Sequence, residues 1–410
     1  MKHILRIEDS LTNKISYYHI IAFMACLPFD RFFSELILIS FLLHELIHLD
    51  KEKITGVKLP VLLPVLIYVV TVSGALYSPD KVQLYKDLEK QLALVLFPVI
   101  FSLTSIDLKT YRQNVLKAFA FIMLATVLYL YLDAFSIIRF NKLALSSLLS
   151  PLFINHNFSL PINLHATYLS MYVTLAASIF LKFCIDAVTL RNRLLYALGL
   201  MILLMGVIQL SSKAVFIAVI IIINFATTIL IRTKKNRIRF LAASIIITTL
   251  IIVALMQVEG FKIRYVEKLQ QDLQQTSYNV NIAEPRMVRW RCALTLIKQS
   301  PVIGHGSGSE TNLLKEIYFN NKLYISYLNE LNAHNQYLSF LIKSGVIGLL
   351  VFLYVLLAGF KQAILKKDFI FCSFLIVISV VAMSENILDV NKGIFFFAFF
   401  YPLFIKSGGK

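Results

Sequence analysis

The chain has 410 residues, of which 58% are hydrophobic and only 15% charged, and its mean hydropathy is +0.74. Soluble domains carry about 25% charged residues and need a polar exterior, so this apolar surplus cannot be hidden inside a water-soluble globule. The composition specifies an all-α polytopic membrane protein and excludes a dinucleotide-binding enzyme, a repeat solenoid or a secreted disulfide scaffold.

The net charge of +17 comes from 40 Lys and Arg against 23 Asp and Glu. It fits basic cytoplasmic loops and contact with anionic membrane lipids. No nucleic-acid partner is expected, since no basic arm stands free of the apolar stretches. Cys26, Cys184, Cys292 and Cys372 are scattered and read as small core residues, not as a disulfide framework or a metal cluster. The N-terminal MKHILRIEDSLTNK shows no signal-peptide cleavage pattern, which predicts that the first span is retained.

In chain order, apolar stretches long enough to cross a bilayer predict about twelve transmembrane helices. The first nine are expected at 15–28, 32–49, 59–77, 91–106, 113–133, 162–182, 194–210, 212–231 and 238–258. The last three are expected at 335–359, 369–386 and 393–406. The short loops on the side of the N-terminus hold most of the Lys and Arg, including KEKITGVK, RTKKNRIR and KQAILKK. The positive-inside rule therefore places both termini in the cytoplasm and the long loop outside. The organisation is residues 1–258 with spans one to nine, a periplasmic helical loop at 259–334, and 335–410 with the last three spans and a cytoplasmic tail.

A loop this long between spans is more than a connector. Residues 261–275 read as a polar helix. Pro285 then precedes RMVRWRCALTLIKQ (286–299), an amphipathic helix with Met287, Trp290, Leu294 and Ile297 on its apolar face and Arg289 and Lys298 opposite. It ends in SPVIGHGSGSE, whose Pro301, Gly304, Gly306 and Gly308 demand a turn. A second polar helix follows, and the chain re-enters the membrane at LNAHNQYLSFLIKSGVIG.

Several polar residues stand out against this background. Arg286, Arg289 and Arg291 lie in the loop, and Lys213 sits in LSSKA between two spans. A cation at that depth is costly unless it faces a cavity or an anion. Arginine suits bidentate phosphate recognition and lysine acts as a point charge, so a lipid-attached pyrophosphate would suit Arg286, Lys213 and Arg289. Arg291 reads as headgroup contact, and for the others lipid contact is the alternative.

His334, where the loop rejoins the membrane, carries an imidazole able to accept a hydroxyl proton near neutral pH, although an interfacial histidine also serves structure. Glu385, with Asp389 and Lys392, forms a polar cluster able to orient His334 or an arginine, or to fix a helix pair. His165, at the start of the sixth span, and Asn335 are supporting candidates. HELIH at 44–48 matches the zincin spacing, with two imidazoles on one helix face and Glu45 as base. The third ligand of a membrane zinc protease would be Asp389, which falls at the opposite membrane face. No P-loop, dinucleotide fingerprint or nucleophile elbow appears, which argues against ATP-driven and serine-hydrolase mechanisms.

Taken together, Arg286-x-x-x-Trp290, ALTLIKQSPVIGHGSG and AHNQYLSFLIKSGVIG resemble the signature of the bacterial O-antigen ligase and polymerase superfamily. LEKQLALVLFPVIF, HATYLSMY and SENILDVNKGIFFFAFF extend the likeness more loosely. The resemblance implies a GT-C-like glycosyltransferase of the bacterial inner membrane with a periplasmic active site. It would need no metal or other cofactor. Its donor would be an undecaprenyl-pyrophosphate-linked glycan, its acceptor a hydroxyl of lipid A–core, and transfer would invert the anomeric centre.

The family's essential loop arginine falls on Arg286 and its essential histidine on His334. A second family arginine, in a Ser/Thr-Arg pair, falls on Lys213, which keeps the charge and loses the bidentate fork. His305 occupies a turn position that is more often small or aliphatic. A polymerase of the same superfamily is the nearest alternative. A transporter would use similar cations but would call for internal repeats, and none is evident.

Overall fold

The computed structural model describes residues 6–408 apart from 52, 54, 55, 57, 232, 258, 268 and 271–283. Among these residues every regular element is a helix. The principal helices of the first half are α1 Leu11–Cys26, α2 Arg31–Ile47, α3 Val65–Gly74, α4 Lys81–Gln91, α5 Ala93–Leu103 and α6 Leu108–Phe140. Then come α7 Ala166–Asp186, α8 Leu190–Leu210, α9 Lys213–Asn224 and α10 Lys234–Leu255. Helices α11 Arg286–Gln299 and α12 Glu310–Asn320 belong to the long loop. They are followed by α13 Gln336–Leu365, α14 Phe369–Val381 and α15 Asn391–Ser407.

Polar caps mark where several apolar runs begin. Ser10, Asp30, Asp107, Thr189, Asn335 and Asp368 each accept a backbone N–H of the helix that follows, satisfying a donor the first turn leaves open. Six helical segments among the described residues are long and apolar enough to cross a membrane. These are Leu108–Phe140, Ala166–Asp186, Leu190–Leu210, Lys213–Leu230, Lys234–Ala254 and Gln336–Leu365. Shorter helices cover the other expected spans. The fifth expected span, 113–133, lies inside the much longer α6. The eleventh ends at Val381, so Glu385 falls in the connection to α15 and not in a span.

At the centre stands α7, packed along α6, α8 and α14. It is buried on nearly every side, from Ala166 to Phe180. The Phe-rich α15 fills the space beside α5 and α6, where Phe23, Phe97, Phe119, Phe399 and Phe400 meet at ring separations of 4.6–5.4 Å. By contrast α10, apolar all round after its basic first turns, is almost uncovered by protein, as expected of a lipid-facing helix.

The sequence reading of the long loop needs one correction. The polar helix expected at 261–275 is helical wherever it is described, as the helix Glu259–Lys262, the π-helical stretch Ile263–Glu267 and residues 269–270, while 271–275 lie outside the described residues. Helix α11 forms where expected but turns a different face inward. Arg289, Cys292, Ala293 and Leu296 are buried, while Leu294 of the expected apolar face is 47% exposed. The reason is tertiary: α11 lies against α12 and α13, and small residues let it approach both.

Helix α13 is not continuous. Gly345 has φ 61° and ψ −159°, which breaks the helix into two halves. The Pro301–Gly306 turn fills the break. The Ile342 and Lys343 carbonyls accept the N–H groups of His305 and Gly306 at 2.8 and 2.9 Å, and the Val346 N–H donates to the Pro301 carbonyl at 2.9 Å. A Cβ on Gly345 would lie 2.2 Å from the Val302 oxygen, and one on Gly304 would lie 2.5 Å from the Lys343 carbonyl carbon. Backbone at membrane depth must find partners within the protein, and this turn supplies them.

Candidate active site

The segment Ala333–Gln336 enters α13 directly after the loop, and it lies against the 382–388 connection. The Asn335 N–H donates to Asn386 Oδ1 at 2.8 Å, the Gln336 N–H to the Ala382 carbonyl at 2.8 Å, and the Leu388 N–H to Gln336 Oε1 at 2.7 Å. Asn335 also caps α13, its Oδ1 accepting the Tyr337 and Leu338 N–H groups. This docking brings His334 onto Glu385, with Nδ1 3.3 Å from Oε2. His334 itself has φ 47°, an uncommon conformation for a residue other than glycine.

Arg286 starts α11 and reaches the same carboxylate from the other side. Its guanidinium lies 3.8 Å from Glu385 Oε1 and donates to the Ser384 carbonyl at 3.1 Å. The helix is anchored there by Trp290, whose Nε1 donates to the Ala333 carbonyl at 2.9 Å, one residue before His334. Glu284 holds the approach, accepting the N–H groups of Ile325 and Ser326. Arg286, His334 and Glu385, residues far apart in sequence, therefore share one cluster. The arginine and histidine side chains are about one-third exposed, and Glu385 is 13% exposed.

Burial alone would push the Glu385 carboxyl up. The hydrogen bond from His334 and the favourable electrostatics of His334, His165 and Arg286 outweigh it and hold the carboxyl below its usual value. With the Nδ1 proton on the His334 side of this contact, an ionised Glu385 would accept it and Nε2 would face away as the acceptor nitrogen, the arrangement by which a carboxylate orients a general base.

The other expected site residues are placed as follows. His165 caps α7 and feels the charge of Glu385, and its ring meets His156 at 4.2 Å between centroids. Lys213 opens α9. It follows Ser212, whose hydroxyl lies 3.5 Å from that of Thr167 in the first turn of α7. Lys213 is thus carried on the same end of the bundle as His165. Arg289 departs most from its expected place, because it is 6% exposed and lies inward beside Tyr318. Sequence reasoning missed His156, which a second histidine nine positions before His165 could have signalled.

The HELIH residues are engaged in packing α1 against α2. His44 Nε2 bonds the Thr12 carbonyl, His48 Nδ1 bonds the His44 carbonyl, and Glu45 accepts the Ser16 hydroxyl and pairs with Lys53 at 3.7 Å. Asp389 pairs instead with Lys343 at 2.7 Å. His305 spends its ring on the Leu296 carbonyl at 2.8 Å, tying the Gly-rich turn to α11.

Comparison with known proteins agrees with the motifs. No curated protein matches the chain. Residues 198–353 match the family model described as O-Antigen ligase. The match runs from within α8 to within α13, so it contains Lys213, Arg286, the Gly-rich turn and His334, while Glu385 lies beyond it. Over residues 198–353, less than half of its length, this chain is similar to the O-antigen ligase family, whose members are membrane glycosyltransferase-like enzymes.

Proposed function

We propose that the chain is an O-antigen ligase. It moves a glycan from undecaprenyl pyrophosphate to a hydroxyl of lipid A–core, with inversion and without a metal. The setting is a GT-C-like fold of about twelve passes in the bacterial inner membrane, with both termini cytoplasmic and the long loop periplasmic. The observation that carries the reading is the meeting of Arg286 and His334 on opposite oxygens of Glu385.

In the transfer step the acceptor oxygen attacks the anomeric carbon as the bond from that carbon to the pyrophosphate oxygen breaks. The leaving pyrophosphate takes the bonding pair, and fixed cations stabilise the charge that develops on it. Arg286 and Lys213 serve there, while buried Arg289 supports α11 from behind. Nε2 of His334 takes the hydroxyl proton, and Glu385 holds the ring through Nδ1.

The test is purified protein reconstituted with lipid-linked glycan and lipid A–core in the presence of EDTA. Extension of lipid A–core supports the ligase. Extension of the lipid-linked glycan alone would make the chain a polymerase, and no transfer to either would overturn the glycosyltransferase reading.

A further inference from the structure

Behind His334 and Glu385 lies a second charge cluster that the transfer step does not use. Lys343, in the first half of α13, faces carboxylates from three other segments: Asp389 at 2.7 Å, Glu310 at 3.4 Å and Asp87 at 3.8 Å. The lysine and Asp389 side chains are 13% exposed, and the other two less. An ammonium within an apolar helix is expensive and is kept for what it pairs with.

The carboxylates that Lys343 holds are shared with the flanks of the active pair. Asp389 Oδ2 accepts Asn386 Nδ2 at 3.0 Å, and Asn386 Oδ1 accepts the Asn335 N–H at 2.8 Å. Glu310 Oε1 accepts the Ala333 N–H at 3.0 Å and Asn386 Nδ2 at 3.2 Å. Both neighbours of His334 in the chain, and the residue after Glu385, are thus tied to one cluster. Such ties are what a positive φ at His334 requires, since a strained residue persists only where its surroundings over-determine it. The lysine is itself located by the broken helix, its carbonyl accepting the Gly306 N–H.

We propose that Lys343 is a positioning residue for the His334–Glu385 pair, acting through Asp389, Glu310 and Asn386. The proposal rests on His334 being the base of the transfer reaction. It links the Gly-rich turn to the active pair: the turn sets the helix break, the break sets Lys343, and Lys343 sets the ring.

The experiment compares wild type with Lys343→Gln/Asp389→Asn, which removes one charge of each sign and leaves an oxygen for Asn386, and with Lys343→Arg. Each is purified and checked for monodispersity, then assayed for transfer and for the titration of the His334 imidazole by NMR with labelled histidine. The double variant is expected to stay folded and to lose about 10²-fold in kcat, the scale of a small misplacement of a reacting group. Its donor KM should be unchanged and its His334 titration displaced, while Lys343→Arg falls between it and wild type.

A folded double variant with wild-type kcat and titration would overturn the proposal, as would a loss confined to KM. Should the double variant not fold, Lys343→Arg decides: intermediate values support positioning, and wild-type values overturn it. If wild type transfers nothing, the reading of His334 as base fails. The imidazole titration then still decides whether Lys343 positions the ring.

Discussion

Glu385 is the residue on which the proposed active pair turns, because its two oxygens face different neighbours. One faces the imidazole and, in the proposed mechanism, leaves the opposite ring nitrogen basic, and the other faces a guanidinium whose remaining donors would serve a ligand. His334→Ala is expected to cost about 10²–10⁴-fold in transfer, the usual range for a general base, while the protein still inserts. Normal transfer by that variant in the reconstituted assay would remove the base. Arg286→Lys keeps the charge and loses the fork, so it should impair transfer more than Lys298→Ala on the exposed side of the same helix. Equal activities would count against pyrophosphate recognition.

Acid should act through Glu385. Its carboxyl is depressed on folding, so its contribution to stability is full above the unfolded value, about 4.3, and is lost as pH falls through the folded value. Melting temperatures followed into acid should drop more for wild type than for Glu385→Gln. Parallel curves would assign the acid loss to other groups. His334 and Arg286 were legible as single residues because each is a costly side chain at a membrane boundary. Their shared partner was only one of several options, since nothing in sequence spacing brings position 385 to 286.

At the scale of elements, the joint between the Gly-rich turn and α13 explains why two glycine motifs some forty residues apart occur together. Each supplies the backbone partners the other lacks. Gly345→Ala would force an alanine into a positive φ and against the Val302 carbonyl, a strain of about 1–3 kcal/mol before the clash is counted. A clear fall in the apparent melting temperature of the purified protein is expected, together with weaker transfer. An unchanged melt would mean that the two halves of α13 do not depend on that turn.

Helix α11 teaches the opposite lesson about periodicity. Its pattern located the helix correctly, but the buried stripe runs through Arg289 and Ala293 because close contact with α12 and α13 rewards small size over bulk. Hydrophobic spacing alone ranks residues by bulk. It therefore chose the wrong face.

For the whole molecule, the basic loops predict an orientation that labelling can check. After replacement of the four native cysteines, a cysteine at exposed position 298 should react with a membrane-impermeant maleimide once the outer membrane is opened. One at exposed position 361 should react only after the inner membrane is lysed. The reverse pattern would put the cluster of Arg286 and His334 on the cytosolic side and end the ligase reading.

Composition and apolar runs by themselves determined that this chain is a helical membrane protein with one long polar loop, because desolvating the backbone in lipid leaves few choices once side chains are apolar. The motifs of that loop also marked Arg286 and His334. Only the tertiary structure decided that Glu385 receives both, that Arg289 turns inward, that α13 is broken and refilled by the turn, and that Lys343 gathers three carboxylates behind the pair. Those outcomes depend on close packing and on pairing buried charges between segments far apart in the chain, and one-dimensional spacing carries no record of such meetings.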